Sequence, residues 1–230
     1  ASIPGTLGDN ALQERDAAAT QADTAAAAHA EVSTMVRQLQ DAGVRVHLFE
    51  DTGTATPDAV FPNNWFSTHA GGHMALYPMA TPSRQRERRW DIIDGLKQHY
   101  RVQDVIDYSG LEQDHVYLEG TGAMVLDHID RVAYVARSNR ADPLALERFC
   151  THFNYEPLLF DAADASGRAV YHTNVLMCIG TDFAMAGFDM ITDVRRRSEV
   201  RQRLTENGRT LVALTAAQVG EFAGNALELQ

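Results

Sequence analysis

The chain has 230 residues, 45% hydrophobic and 22% charged, with a formal net charge of −11. That length buries one large core or two modest ones. The acidic balance argues against nucleic acid, whose phosphates want Lys and Arg, although an anionic surface could draw a cationic substrate. No apolar run approaches the roughly 18–20 residues of a membrane span, and no signal-peptide pattern opens the chain. Two cysteines, Cys150 and Cys178, make no disulfide framework. The expectation is a cytoplasmic protein engaging neither membrane nor nucleic acid.

Residues 1–13 carry Pro4, Gly5 and Gly8 without periodicity and read as loop. Residues 14–42 are Ala-rich, with Val32, Met35, Val36 and Leu39 at helical spacing, and Gly43 suits the position just past a helix end. Low complexity is the alternative for Ala25–Ala28. Residues 44–49 read as a strand and 50–59 as a loop. Asn64 then stands ahead of a strand at 65–69, a turn at 70–72 and a strand at 73–77. A helix follows at 84–100, with Trp90, Ile93 and Leu96 as its buried side, then a strand at 102–106.

A polar loop, 107–115, leads to Glu119. Behind it come strands at 123–127 and 132–136, a helix at 142–153 and a strand at 156–160. Asp142 caps that helix and Pro143 takes its first turn. The loop 161–168 leads to His172, with strands at 174–179 and 183–187, a helix at 191–206 and a strand at 210–214. A short helix, 216–222, leads to Asn225. Asn64, Glu119 and His172 lie 55 and 53 residues apart, at the same point of each ββαβ unit. A period of that size marks a repeat architecture. In a closed ring of such units, equivalent positions face one axis, so an Asn, a Glu and a His are expected to converge at one end. The sequence stops one strand into a further unit and opens without a hairpin. Such a ring cannot close with these residues. The expectation is that terminal parts are missing; closure by a partner, as in a homodimer, is the alternative.

Phe61-Pro62-Asn63-Asn64-Trp65, Leu118-Glu119-Gly120-Thr121-Gly122, Ser138-Asn139-Arg140 and Tyr171-His172-Thr173-Asn174 carry a resemblance over nearly the whole chain. Together they resemble the landmarks of the guanidine-modifying (pentein) superfamily of arginine deiminases, dimethylarginine dimethylaminohydrolases and amidinotransferases. In wording they are most similar to bacterial citrulline-utilisation hydrolases. The resemblance implies an α/β fold: a five-bladed propeller of ββαβ units forming one domain over residues 1–230, lacking part of its first unit and most of its last. It implies a Cys thiolate that attacks a guanidine or ureido carbon, and a His that protonates the departing amine and later helps water break the adduct. It implies no metal and no organic cofactor.

Carried over by residue, the resemblance makes Glu119 and His172 catalytic. Arg140 would bind the substrate's α-carboxylate, or be an ordinary loop cation. Asn63, Asn64 and Asn174 would meet the substrate; Asn174 could equally be a turn-former. Gly122 stands where relatives have Asp, so the Glu119 motif is a partial match. Asp58 is a possible second carboxylate, and the Arg84–Arg89 run reads as a solvated helix face. Cys178 and Cys150 sit among apolar residues and read as small hydrophobes. The nucleophile is therefore expected outside this chain. The implied reaction is hydrolysis of a C–N bond in a linear amidine or ureido compound, citrulline first and arginine or methylarginine next. Amidino transfer and a non-catalytic binding module are the alternatives. The amides of Asn63 and Asn64, where arginine-consuming relatives have an Asp, suit a neutral ureido group better than a cation; which of the two points inward is open.

Overall fold

The computed structural model describes residues 21–51, 53 and 55–229. The expected loop at 1–13 and the first turns of the expected helix at 14–42 lie outside them. Two compact bodies are present. One comprises the described residues up to Pro62 together with Thr81–Arg101; the other comprises Asn63–Ala80 and the chain from Val102 onward.

In the first body, α1 (Gln21–Asp41) ends as its sequence requires. Gly43 takes φ +87°, its N–H donates to Gln40 O at 2.9 Å and Val44 N–H to Leu39 O at 2.9 Å. This pairing uses carbonyls that the last turn would leave open. Val32, Val36 and Leu39 are half-buried as the stripe predicts, but Met35 is exposed. Residues 44–49 are not a strand. No described segment offers them a ladder, and a strand without a partner leaves its backbone to solvent. Phe49 packs against Gly95 instead.

The expected helix at 84–100 is broken into α2 (Pro82–Gln85) and α3 (Trp90–His99). The break turns Arg84 inward: its Nε and Nη2 donate to Glu87 at 3.0 and 3.1 Å, and both side chains are almost wholly buried. Arg84 is thus no part of a solvated face. Arg89 ends the break in extended geometry, donating to Glu50 O and Asp91. Ile93 is buried as expected, whereas Trp90, now at the start of a shorter helix, is exposed.

The second body holds three separate three-stranded sheets, and no closed sheet occurs among the described residues. The first contains β1 (Phe66–His69), β2 (His73–Leu76) and β3 (Asp104–Asp107). In each sheet the first two strands form an antiparallel hairpin and the third adds parallel after a helical crossover: Phe66 faces Leu76, and His73 faces Asp104. In the second repeat, α4 (Gly120–Ala123) precedes β4 (Met124–Asp127) and β5 (Val132–Ala136); α5 (Pro143–Phe153) then leads to β6 (Glu156–Phe160). Asp142 caps α5 by accepting from Leu144 N–H at 2.8 Å. All five residues of β5 are buried, and the core gathers around Tyr77, Met124, Val135, Leu146 and Phe149.

The third repeat has α6 (Thr173–Leu176), β7 (Met177–Ile179), β8 (Phe183–Ala186), α7 (Val194–Thr205) and β9 (Thr210–Ala213), followed by α8 (Ala216–Gly220). The expected strand at 174–179 begins only at Met177, because residues 173–176 coil into one helical turn. Thr173 fixes that turn: its buried hydroxyl donates to Ala123 O at 2.5 Å and accepts from Ala136 N–H at 2.8 Å. One hydroxyl therefore stitches the third repeat to the second.

Arg209 makes a second stitch. Its Nη1 and Nη2 reach Asp127 at 2.6 and 2.8 Å, and its Nε donates to Gly180 O at 3.1 Å. Asp127 also accepts from Ile129 and Asp130 N–H at 3.0 Å, so it closes its own hairpin turn. Both charges are buried, and breaking such a pair strands a carboxylate in low dielectric. Arg209→Ala is expected to lower unfolding free energy by about 3–5 kcal/mol in urea titrations. Arg203→Ala removes a more exposed pair with Glu156 and is expected to cost about 1 kcal/mol or less.

Candidate active site

Glu119 sits immediately before α4, in the turn that only a glycine successor permits. Gly120 takes φ +47°, and a Cβ there would lie 2.4 Å from Asn63 O. His172 occupies the matching place before α6. Their side chains meet: His172 Nε2 lies 2.8 Å from Glu119 Oε2. Arg140 Nη1 reaches the same oxygen at 3.4 Å, and Ala80 N–H donates to Oε1 at 3.0 Å. The carboxylate is fully buried, with the guanidinium and imidazole nearly so.

The Ser138-Asn139-Arg140 segment braces this group. Ser138 Oγ donates to Tyr171 O at 2.8 Å and accepts from Arg140 N–H at 3.1 Å, while Glu119 N–H donates to Arg140 O at 3.1 Å. The Tyr171 ring lies 5.3 Å from the Arg140 guanidinium and 4.8 Å from the His172 ring.

Asn64 ends the 3-10 turn Pro62–Asn64 and is buried. Its Oδ1 has no hydrogen-bond partner. Gly122 explains what it faces: a Cβ at that position would stand 2.1 Å from Asn64 Oδ1 and 2.9 Å from His172 Nδ1. Any side chain at 122 would displace the amide and crowd the imidazole. The Asp expected there from the motif resemblance would collide with both.

The structure thus brings Asn64, Glu119, His172 and Arg140 together. Asn63 is half-buried and takes part through its carbonyl, which accepts from Thr121 Oγ1 at 3.2 Å. Because the segment is a turn and not extended, strand alternation does not apply, and the inward amide is that of Asn64. Asn174 lies half-buried within α6, two residues past His172. Asp58 is buried within the first body. The Ala80 N–H escaped sequence reasoning, since a backbone donor leaves no residue signature. The bracing role of Ser138 lay within reach of the motif, but only geometry reveals its partners. Among the described residues no group of three or more His, Cys, Asp or Glu side chains is placed to hold a metal ion. None of the described helices is long and apolar enough to cross a membrane.

A family model described as N,N dimethylarginine dimethylhydrolase, eukaryotic, matches residues 4–230. The chain belongs to this family, within the arginine deiminase and amidinotransferase (pentein) superfamily. Solved structures share the pentein fold. The apo structure of ArgZ, an arginine dihydrolase from the ornithine-ammonia cycle in Cyanobacteria, superposes with TM-score 0.67 at 18% identity, over 86% of this chain and 30% of that one. The N-terminal domain of ArgZ, in a Cys-to-Ser variant bound to substrate, gives TM-score 0.67 at 19% identity, over 86% of this chain and 68% of that one. A dimethylarginine dimethylaminohydrolase, as an adduct with 4-chloro-2-hydroxymethylpyridine, gives 0.56 at 12% identity, over 84% and 85%. This chain therefore spans less than a third of the ArgZ chain. Among curated proteins no sequence matches it at significance.

Both cysteines of this pentein are buried and free. Burial pushes the Cys150 thiol up to about 12, and burial also raises that of Cys178. Neither thiol has the electropositive setting that makes a thiolate. Labelling of the native chain by an aromatic disulfide reagent at pH 8 is expected to be slow at both, becoming fast only in denaturant.

Proposed function

We propose that this chain carries the substrate cradle and acid–base pair of a pentein hydrolase that cleaves a C–N bond in a linear guanidino or ureido amino acid. The observation that carries the reading is the buried hydrogen bond between His172 and Glu119, set beside an amide oxygen without a partner. A scaffold protein has no need to bury a carboxylate, an imidazole and a guanidinium at one point, since each loses hydration there. The three ββαβ repeats would be blades of the five-bladed propeller that the family resemblance implies, in one domain that continues outside this chain.

In the proposed reaction a thiolate adds to the central carbon of the substrate, forming a C–S bond. The C–N bond to the departing amine breaks as His172 supplies a proton to that nitrogen. Water, deprotonated by the same imidazole, then adds to the carbon and expels the thiolate. Glu119 holds the imidazole and accepts a substrate N–H. Because Cys150 and Cys178 are inert core residues, the thiolate belongs to a cysteine outside residues 1–230. The Cys-to-Ser variant of ArgZ that retains its substrate supports this division between cradle and nucleophile. The proposed reaction needs neither metal nor organic cofactor, and the location proposed with it is the cytoplasm.

Citrulline is the proposed substrate, with arginine or methylarginine next. Asn64 offers an acceptor and a donor to the C=O and N–H groups of a ureido head. A carboxylate there would pair with a guanidinium but would be costly beside a neutral head. Asn63, whose carbonyl holds Thr121, and Asn174, on the turn behind His172, would line the same site. With full-length protein, kcat/KM is expected to favour citrulline over arginine, and Asn64→Asp to lose citrulline turnover about tenfold or more while shifting preference toward the cation. Equal or better turnover of arginine by the unsubstituted enzyme would rule this specificity out.

A further inference from the structure

Where the second and third repeats meet, a cavity of about 390 Å³ opens. Leu159 and Phe160 of β6 give it an apolar lining. Its charged lining comes from two sides: Arg137 and Asp161, just past β5 and β6, and Arg195, Arg196 and Glu199 on the first turns of α7. The backbone there is tied down, since Arg137 N–H donates to Phe160 O and Thr192 N–H to Asp161 O, both at 2.9 Å. Some of the charges already have firm partners. Asp193 caps α7 by accepting from Arg196 N–H at 2.8 Å, and Arg196 Nη1 donates to Glu199 at 2.8 Å. Others do not. Arg137 Nε stands 3.7 Å from Asp161, beyond hydrogen-bond reach, and Arg195 has neither hydrogen bond nor ion pair among the described residues. Arg137 directly precedes Ser138, yet no residue of the candidate active site lines this cavity.

We propose that this cavity is a second small-molecule site, and that it takes a zwitterionic α-amino acid with an aliphatic side chain. Its volume is in the range of small-ligand pockets, roughly 300–1,000 Å³. The lining carries three arginines and three carboxylates, so neither a bare anion nor a bare cation suits it. An anion that recruits Arg195 and Arg137 draws Arg137 away from Asp161 and leaves that carboxylate without its cation. A lone amine at Asp161 leaves Arg195 unanswered. A molecule with both groups meets both needs: its carboxylate takes Arg195 and Arg137, and its ammonium takes the place of Arg137 at Asp161. The aliphatic chain then covers Leu159 and Phe160. Arg137 and Asp161 belong to the second repeat and Arg195 to the third. The ligand therefore bridges two repeats and stabilises their packing by mass action.

The test uses L-norvaline, which has both charges and a short aliphatic chain but no guanidino or ureido head. Pentanoate is the same skeleton without the ammonium, and butylamine the same without the carboxylate. In backbone 15N spectra of this chain, L-norvaline is expected to move the amides of Arg137, Asp161 and Arg195 together, with a Kd on the order of 1–10 mM. Pentanoate and butylamine are each expected to bind about fivefold more weakly, as for loss of a charge contact open to solvent. Arg195→Ala and Asp161→Asn, both at exposed positions, are expected to weaken L-norvaline by about the same factor. Arg148→Ala, on the exposed side of α5, is expected to leave its Kd unchanged. Amides that do not move, pentanoate binding as tightly as L-norvaline, or an unchanged Kd in both Arg195→Ala and Asp161→Asn would overturn the proposal. Movement confined to the amides of Glu119, Gly122 and His172 would put L-norvaline in the candidate active site and overturn it equally. The hydrolase reading is decided by turnover of full-length protein, and stands or falls apart from these outcomes.

Discussion

A carboxylate buried beyond the reach of water constrains everything around the site. Glu119 is fully buried, and an ionised carboxylate without compensation is among the costliest groups a protein can enclose. Its compensation comes from three repeats: the Ala80 N–H just past β2, Arg140 after β5, and His172 ahead of α6. No single ββαβ repeat could supply all three. The repeat architecture therefore underlies the site, because equivalent turn positions converge only when neighbouring repeats pack. Thr173 and Arg209 show that packing at two other points, one beside the site and one at the hairpin turn after β4.

Asn64 stands apart from this satisfied network. Its oxygen is buried without a partner, and such groups are few in native structures. The bare Cα of Gly122 leaves the place that the amide oxygen takes, and any side chain there would collide with it. A buried acceptor beside an acid–base nitrogen suits a ligand that brings an N–H. Gly122 and the amide at Asn64 thus belong together: one makes the room that the other uses.

Much of this was legible in the sequence. The apolar runs of β4 and β5, the Asp142-Pro143 start of α5 and the Gly43 end of α1 follow from local rules, and the structure places them within a residue or so. The near-constant spacing of Asn64, Glu119 and His172 correctly anticipated their convergence. What failed did so for tertiary reasons. Residues 44–49 have the pattern of a strand, but a pattern provides no neighbour to pair with. Helical periodicity through 84–100 gave no warning that Arg84 and Glu87 would turn inward as a buried pair. The helical turn at 173–176 overlaps the start of the strand expected at 174–179, since so short a stretch carries too little periodicity to separate the two. Arg140 was assigned by motif to a ligand; only coordinates reveal its bond to Glu119.

The account stands or falls on Glu119 and His172 working as one unit. A double-mutant cycle in full-length enzyme tests this directly, with kcat/KM measured for wild type, Glu119→Gln, His172→Gln and the double variant. Residues that act as a unit are strongly non-additive. The account predicts that the double variant is no worse than the poorer single variant, within about a factor of three, with each single loss on the order of a hundredfold or more. Losses that multiply, or a Glu119→Gln variant that keeps full activity, would contradict it.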